Sequence, residues 1–194
     1  AFHFVWKRAS GDLMLTADVT WVGPGRNAHR KACLLIRQNL DPGSPYVDAV
    51  LHGDGLTSLQ CRAEAQGPTR EIQANLSSPR TLRLERCGDT AWMSVKGPDG
   101  RFHPTGGAFQ VPFQDPVYVG LGVCAHDNRV TEQALFSNVH LEFQPHHTST
   151  NPRLVSTLEV IDIASKDRRA SYCTTNHIEA PNWSPDGSFL LFNR

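Results

Sequence analysis

The sequence lacks several features that would assign a function class at once. No run of about 18 apolar residues occurs among the 194 residues, so no membrane-spanning helix is predicted. Charge of neither sign is in excess, because 19 Lys and Arg balance 19 Asp and Glu. A neutral balance argues against nucleic acid or an anionic membrane as partner, since both select a basic surface. Helical periodicity is also nearly absent.

Cysteine is present, but never in a recognisable motif. Five cysteines are widely spaced, and no C-x-x-C pair occurs, so neither a zinc site nor a redox motif is predicted. Such unpaired thiols are typical of buried strands and favour a reducing, cytoplasmic compartment. The chain begins at Ala1 within a strand-like segment, and we expect it to be a fragment of a longer protein, with targeting unreadable.

Motifs for catalysis are equally scarce. The nucleophile elbow G-x-S-x-G is absent. Glycosidases need two carboxyl groups flanking one bond, but Glu159 and Asp162 lie on opposite faces of one predicted strand, and Glu85 has no second acid. We therefore expect no enzymatic activity.

What the sequence does contain is a succession of short alternating segments. In Leu13–Val22, for example, Leu13, Leu15 and Ala17 alternate with polar or exposed positions, and Gly, Pro, Asn and Asp separate such segments throughout residues 1–143. This pattern is typical of an all-β sandwich or barrel. Lys31–Gln38 is the one long apolar run and predicts a central strand buried on both faces.

Tyr46–His52 and Leu56–Arg62 flank Gly53-Asp54-Gly55 and predict an antiparallel hairpin. Alternation places apolar side chains on one face and Asp48 and His52 on the other, beside Tyr46. The register across the turn stays open by one residue. A face carrying such residues suits ligand binding, but the outside of any sandwich shows the same pattern.

Val117–His126 predicts a strand with an unusual polar face. Gly120 and Gly122 lie between Tyr118 and His126 on that face. Two glycines there give room for a ligand, or for a bulky neighbour such as Trp92 or Trp6.

The composition changes after residue 143. Residues 144–153 are polar, contain two prolines and predict a linker, whereas 154–194 contain strand-like segments such as LEVIDI. Either the full protein continues into a β-propeller, or this piece packs on the sandwich. Unpaired strand edges in 155–194 also predict a homodimer through that segment.

Two stretches carry a family resemblance. APNWSPDGSFLLF at 180–192 resembles the PD40-type blade of TolB-like β-propellers, with Trp183, Pro185, Asp186 and Gly187 matching its turn. FHFVWKRASGDLMLTADV, HRKACLLIR, SPYVDAVLHGDGLTSLQCR, RTLRLERCGDTAWMSV, VYVGLGVCAHD and ALFSNVHLEF together resemble a concanavalin A-like, laminin G-like jelly roll of the DUF1349 type. The resemblance implies a jelly-roll sandwich of two antiparallel sheets followed by a partial propeller blade, as in bacterial TolB-like proteins.

Jelly rolls of this kind commonly bind carbohydrate or protein, and the resemblance therefore implies a lectin-like module without catalysis. The alternatives are an interaction scaffold with no small ligand and, third, a glycoside hydrolase. Sugar binding requires planar polar side chains beside aromatic rings. The candidates are Arg37, Tyr46, Asp48, His52, Gln60, Arg62, Trp92, Tyr118 and His126.

Calcium is the one cofactor that the loops suggest. Asp54, Asp127 and Asn128 place oxygen ligands at loop tips, although such residues in turns usually cap their own backbone.

Overall fold

The computed structural model describes residues 2–77, 80–143, 156–164, 168–174 and 177–193, and their regular structure consists of strands alone. The strands are β1 Phe2–Ala9, β2 Leu13–Val22, β3 Lys31–Arg37, β4 Tyr46–His52, β5 Leu56–Arg62, β6 Arg70–Ser77, β7 Thr81–Cys87, β8 Thr90–Lys96, β9 Phe102–Gln110, β10 Val117–Cys124, β11 Gln133–Phe143, β12 Ser156–Ile161, β13 Arg168–Thr174, β14 Glu179–Trp183 and β15 Leu190–Asn193. No helix in the described ranges is long and apolar enough to cross a membrane.

The strands form two stacked sheets and a separate hairpin. The long sheet has eight strands in the order β1-β10-β3-β4-β5-β6-β13-β12, and the short sheet has five in the order β11-β2-β7-β8-β9. β14 and β15 pair with each other. The predicted all-β sandwich is therefore confirmed.

The core lies between the two sheets because alternate residues of each strand point inward. Leu13, Leu15 and Ala17 of β2 are buried there, as are Val47 and Ala49 of β4. β3 is buried along nearly its whole length, as its apolar composition predicts. The opposite face of the long sheet, which we call the outer face, is left for the polar residues of the same strands.

The C-terminal segment joins the long sheet. β13 runs parallel to β6, with Arg169 opposite Gln73 and Ala170 opposite Ala74, and β12 pairs antiparallel with β13. Of the two alternatives open from sequence, packing on the sandwich is the arrangement seen for β12 and β13. The predicted linker at 144–153 lies outside the described residues, and the domain boundaries remain a prediction.

Candidate functional site

The register of the central strands brings polar residues together on the outer face. Asp48 of β4 lies opposite Gln60 of β5, which lies opposite Glu71 of β6. One row away, Val50 is opposite Ser58, and at the end of β4 His52 is opposite Lys31 of β3. The open register of the hairpin is thereby fixed, so that polar residues of both strands share this face.

Hydrogen bonds connect five of these residues, Lys31, His52, Ser58, Gln60 and Glu71, which we call the polar cluster. Lys31 Nζ donates to Gln60 Oε1 at 2.8 Å, and Gln60 Nε2 donates to Glu71 Oε1 at 2.6 Å. Ser58 Oγ donates to the same carboxylate oxygen at 2.6 Å. His52 Nε2 lies 3.3 Å from Ser58 Oγ and from Gln60 Nε2. These contacts hold the side chains in fixed positions.

Asp48 and Glu71 both lie on this face, and their pKa values are shifted in opposite directions. Burial raises the pKa of Asp48 to about 7, although the charge of Lys31 opposes this. Burial would also raise the pKa of Glu71, but hydrogen bonds from His52, Ser58 and Gln60 outweigh it and lower the pKa to about 2. Near neutral pH the face therefore carries one carboxylate and one partly protonated acid.

Two buried polar atoms of this face lack a hydrogen-bond partner among the described residues. They are Asp48 Oδ1 and His52 Nδ1, on side chains of residues that are only 7% and 4% exposed. Leaving such an atom unsatisfied costs about 1–3 kcal/mol. Each such atom calls for an explanation, such as a bound water or ion or a functional role.

Aromatic residues of β1 lie on the same outer face, two strands away from β3. Trp6 is 44% exposed and packs edge-on against Tyr118, with ring centroids 4.7 Å apart. The ring of Phe2 lies where a side chain at position 122 would stand, because a Cβ on Gly122 would be 2.8 Å from it. The space that the sequence predicts beside Gly122 is therefore filled by the aromatic ring of Phe2 on β1.

The structure brings together only some of the residues predicted to bind ligand. Asp48, His52 and Gln60 form one group, and Tyr46 and Tyr118 lie on the same face. Lys31, Ser58 and Glu71 belong to this group but were missed from sequence. Strand alternation gives their faces, but only the pairing of strands shows that they meet.

The two arginines proposed from sequence are engaged elsewhere. Arg37 donates to the carbonyl oxygens of Asn39 at 2.7 Å and Asp41 at 2.5 Å. Arg62 donates to the carbonyl oxygens of Gly67 and Pro42, both at 3.0 Å. Both guanidinium groups therefore brace loops at one end of the sheet.

Trp92 does not join the group either. It lies on β8 of the short sheet, where its indole nitrogen donates to Glu85 Oε2 at 2.9 Å. The alternation of β8 turns Trp92 away from the core, but on the other side of the sandwich from the polar cluster.

His126 lies beyond the end of β10, near the polar cluster. Partial burial and the positive charges of Lys31, His29 and His52 lower its pKa. With Asn27, Asp127, Asn128 and Arg129 it lines an open cavity of about 600 Å³.

The proposed calcium ligands bond mainly within their own loops. Asp54 Oδ1 accepts from the backbone N–H of Leu56 at 3.0 Å, and Asp127 accepts from the backbone and side chain of Arg129. Within the described part of the chain, no three His, Cys, Asp or Glu side chains are grouped to hold a metal ion. Calcium binding stays a prediction.

Known proteins support the fold but assign no activity. No family model matches the chain. An uncharacterized protein from Agrobacterium fabrum is 43% identical over 47 residues, and the match spans 23% of this chain but only 16% of that protein's length. The crystal structure of a functionally unknown protein from Saccharomyces cerevisiae is similar with a TM-score of 0.54 and 14% identity, over 74% of this chain and 76% of that one. At such low identity, the likeness concerns the fold alone.

Proposed function

We propose that the outer face of the long sheet binds carbohydrate as a non-catalytic, lectin-like module. The observation that carries the proposal is the polar cluster together with the adjacent Asp48, which between them hold two unpaired buried atoms. The exposed ring of Trp6 lies on the same face, three strands from Asp48. A sugar hydroxyl both donates and accepts hydrogen bonds, so it satisfies His52 Nδ1 in either tautomer and Asp48 Oδ1 in either protonation state.

Aromatic and planar polar groups supply the remaining recognition. Glu71 and Gln60 present a carboxylate and an amide in fixed orientations, as directional bonds to hydroxyl groups require. Trp6 offers an apolar ring on which the C–H face of a sugar packs. The resemblance to concanavalin A-like jelly rolls and TolB-like proteins supports the same reading at the level of fold.

A thermal-shift screen against neutral and acidic oligosaccharides, with calcium and then with a chelator, tests the proposal. A ligand at 100 times its Kd adds about 2.7 kcal/mol of stability. We expect a sugar-dependent shift that Glu71→Gln and Trp6→Ala abolish. The matched controls are Glu64→Gln and Trp183→Ala, which change an exposed carboxylate and an exposed tryptophan elsewhere. A shift that survives in both site variants, or no shift with any sugar, contradicts the proposal.

A protein-interaction scaffold is the second candidate, favoured by the edge strand β1. Val5 is 61% exposed there, and the neighbouring Phe2 and Trp6 are also exposed. An edge strand with such residues is able to accept a further strand from a partner. A flat response to every sugar, together with protection of β1 amides from hydrogen exchange by a bound protein, would support this function instead.

A glycoside hydrolase is the third candidate, favoured by Asp48 and Glu71. The two residues lie two strands apart on one face, which places their Cα atoms about 10 Å apart. One acid partly protonated and one ionised is the arrangement of a general acid and a base. Release of reducing ends from a bound oligosaccharide, lost in Glu71→Gln, would identify a hydrolase.

A further inference from the structure

One end of the outer face gathers nitrogen-bearing side chains. Cys124, Lys31 and His52 lie opposite one another on β10, β3 and β4. His126 follows Cys124 by two residues, and His29 precedes Lys31 by two. We call His29, Lys31, His52 and His126 the basic end.

The acidic groups nearest to the basic end are already engaged. Asp127 pairs with Arg129 at 2.9 Å, and Glu71 accepts from Ser58 and Gln60 within the polar cluster. Lys31 Nζ donates to a neutral amide, and no described carboxylate lies within 4.0 Å of it. Asp48 is close enough for the charge of Lys31 to lower its pKa, yet burial keeps that pKa near 7, so its negative charge is incomplete. Lys31 therefore supplies the permanent positive charge of the basic end, while the carboxylate of Glu71 lies 3.6 Å from His52 Nε2. The histidines contribute ring nitrogens as hydrogen-bonding groups.

An open space adjoins His126. The cavity of about 600 Å³ there is also lined by Asn27, Asp127, Asn128 and Arg129. His126 has a φ of 55°, a left-handed backbone conformation that costs a non-glycine residue about 1–2 kcal/mol. Independently, the buried His52 Nδ1 has no described partner.

We propose that the basic end binds the oxyanion of an acidic saccharide, either the carboxylate of a uronic acid or the sulfate of a sulfated sugar. The inference rests on the proposed function, because the polar cluster and Trp6 bind the neutral part of the same ligand. His52 and Asp48 are four residues apart on β4, a span of about 13 Å, so the ligand is longer than one sugar ring. Because the oxyanion binds at the basic end, the acidic sugar lies near His52 and the rest of the saccharide extends toward Asp48.

Titration calorimetry with matched ligands tests the inference on the full chain. The pairs are oligogalacturonate against neutral galacto-oligosaccharide, and a sulfated galacto-oligosaccharide against the same neutral sugar. We expect at least tenfold tighter binding of one acidic ligand, weakening as salt screens the charges. Preference for uronate or for sulfate identifies which oxyanion the site takes.

Two variants locate the effect. Lys31→Met removes the ammonium, and His126→Asn removes the imidazole while keeping a residue that tolerates positive φ, so folding is preserved. We expect each to reduce the preference for the acidic ligand at least fivefold, and we expect His126→Asn, which lies outside the polar cluster, to leave binding of the neutral sugar unchanged. Lys96→Met and His140→Gln, on exposed positions of the short sheet, serve as controls.

The outcomes separate the two proposals. Equal binding of neutral and acidic sugars, or a preference that survives in both variants, overturns the oxyanion site and leaves the lectin-like function standing. Absence of binding by every saccharide overturns both.

Discussion

Asp48 and Glu71 lie on the same face and shift their pKa values in opposite directions. The carboxylate of Glu71 stabilises the fold above its unfolded pKa of 4.5, and this contribution is lost as the pH falls toward its folded value of about 2. Asp48 behaves oppositely, because its folded pKa of about 7 exceeds its unfolded value of 3.8. Its protonated form favours folding, and the advantage disappears as the pH rises through 7.

The substitution Asp48→Asn tests whether ionisation of Asp48 destabilises the fold as the pH rises. The amide cannot ionise, so we expect the variant to gain stability over the parent protein as the pH rises from about 4 to about 7. The difference should then level off at a few kcal/mol, since one pKa unit corresponds to about 1.36 kcal/mol. Chemical unfolding at several pH values measures it. Asp89→Asn, at an exposed position, serves as the control, and a difference between Asp48→Asn and the parent protein that is independent of pH would contradict the assignment.

Arg30 holds the loop that leads into β3. Its guanidinium donates to Glu132 Oε2 at 2.5 Å and stacks on the ring of Trp21 at 4.1 Å, and the residue is buried. Arg30→Lys keeps the charge but loses the planar fork and the stacking, so we expect a loss of about 2–3 kcal/mol in urea unfolding. Arg129→Lys changes a highly exposed ion pair and should have a much smaller effect. Equal losses of stability in the two variants would show that the burial of Arg30 does not increase its contribution to stability.

At the scale of elements, the pairing of β1 with β10 depends on two glycines that differ in their surroundings. A Cβ on Gly120 would overlap the backbone carbonyl oxygen of Val5, whereas one on Gly122 would meet the ring of Phe2 and the thiol of Cys33. Side chains rotate away more easily than a paired strand moves. Gly120 is therefore the more restrictive of the two positions.

Substitution by alanine should separate them. We expect Gly120→Ala to destabilise the protein by about 3 kcal/mol and to expose β1 amides to hydrogen exchange. Gly122→Ala should cost about 1 kcal/mol and leave β1 protected. If both variants keep β1 protected, the contact between Gly120 and Val5 is not a constraint on the strand.

The sequence predicted elements whose signals are local. The hairpin strands Tyr46–His52 and Leu56–Arg62 match β4 and β5, because alternation and the glycine-rich turn lie within the segment itself. The register was not readable, since the three-residue turn Gly53-Asp54-Gly55 is compatible with more than one pairing. β9 extends from Phe102 to Gln110, through Pro104 and two glycines that weaken its alternating pattern.

The candidate site was harder to predict, because its residues come from strands distant in sequence. Glu71 joins it only through the pairing of β6 with β5, and Lys31 only through that of β3 with β4. Arg62 was placed on the correct face, yet its long side chain reaches loop carbonyls. Alternation thus gives the face of a residue, but not the reach of its side chain.

The pairing of β13 with β6 makes a test of the domain boundary possible. A chain ended at Phe143 loses β12 and β13, including the buried Leu158, and leaves β6 as an unprotected edge. Burial of one leucine is worth about 2 kcal/mol, so we expect the Tm to fall by about 4–8 °C. An unchanged Tm would instead show that residues 1–143 are an autonomous domain, as the linker composition predicts.

At the scale of the whole molecule, the β14–β15 hairpin exposes apolar side chains on both faces. Trp183 is 57% and Leu191 is 61% exposed, and they point to opposite sides because Trp183 pairs with Leu190. The homodimer through residues 155–194 stays a prediction, and these side chains are where we would test it.

Light scattering after size exclusion tests this dimer. We expect the apparent mass to rise with protein concentration, and Trp183→Ser or Leu191→Ser to return the chain to a monomer by removing apolar contact area. Leu135→Ser changes an equally exposed leucine on β11 and should leave the association intact. A monomer at every concentration would exclude dimerisation through this segment.

The parallel pairing of β13 with β6 also has a mechanical meaning. Its register comprises only two residue pairs, whereas β3 and β4 share seven. A pull on the C-terminal segment directed along β6 would load those few hydrogen bonds together in shear, long before the central strands bear the load. This pairing therefore acts as a weak link, at which tension applied to the C-terminal segment would release β12 and β13 and leave the outer face intact.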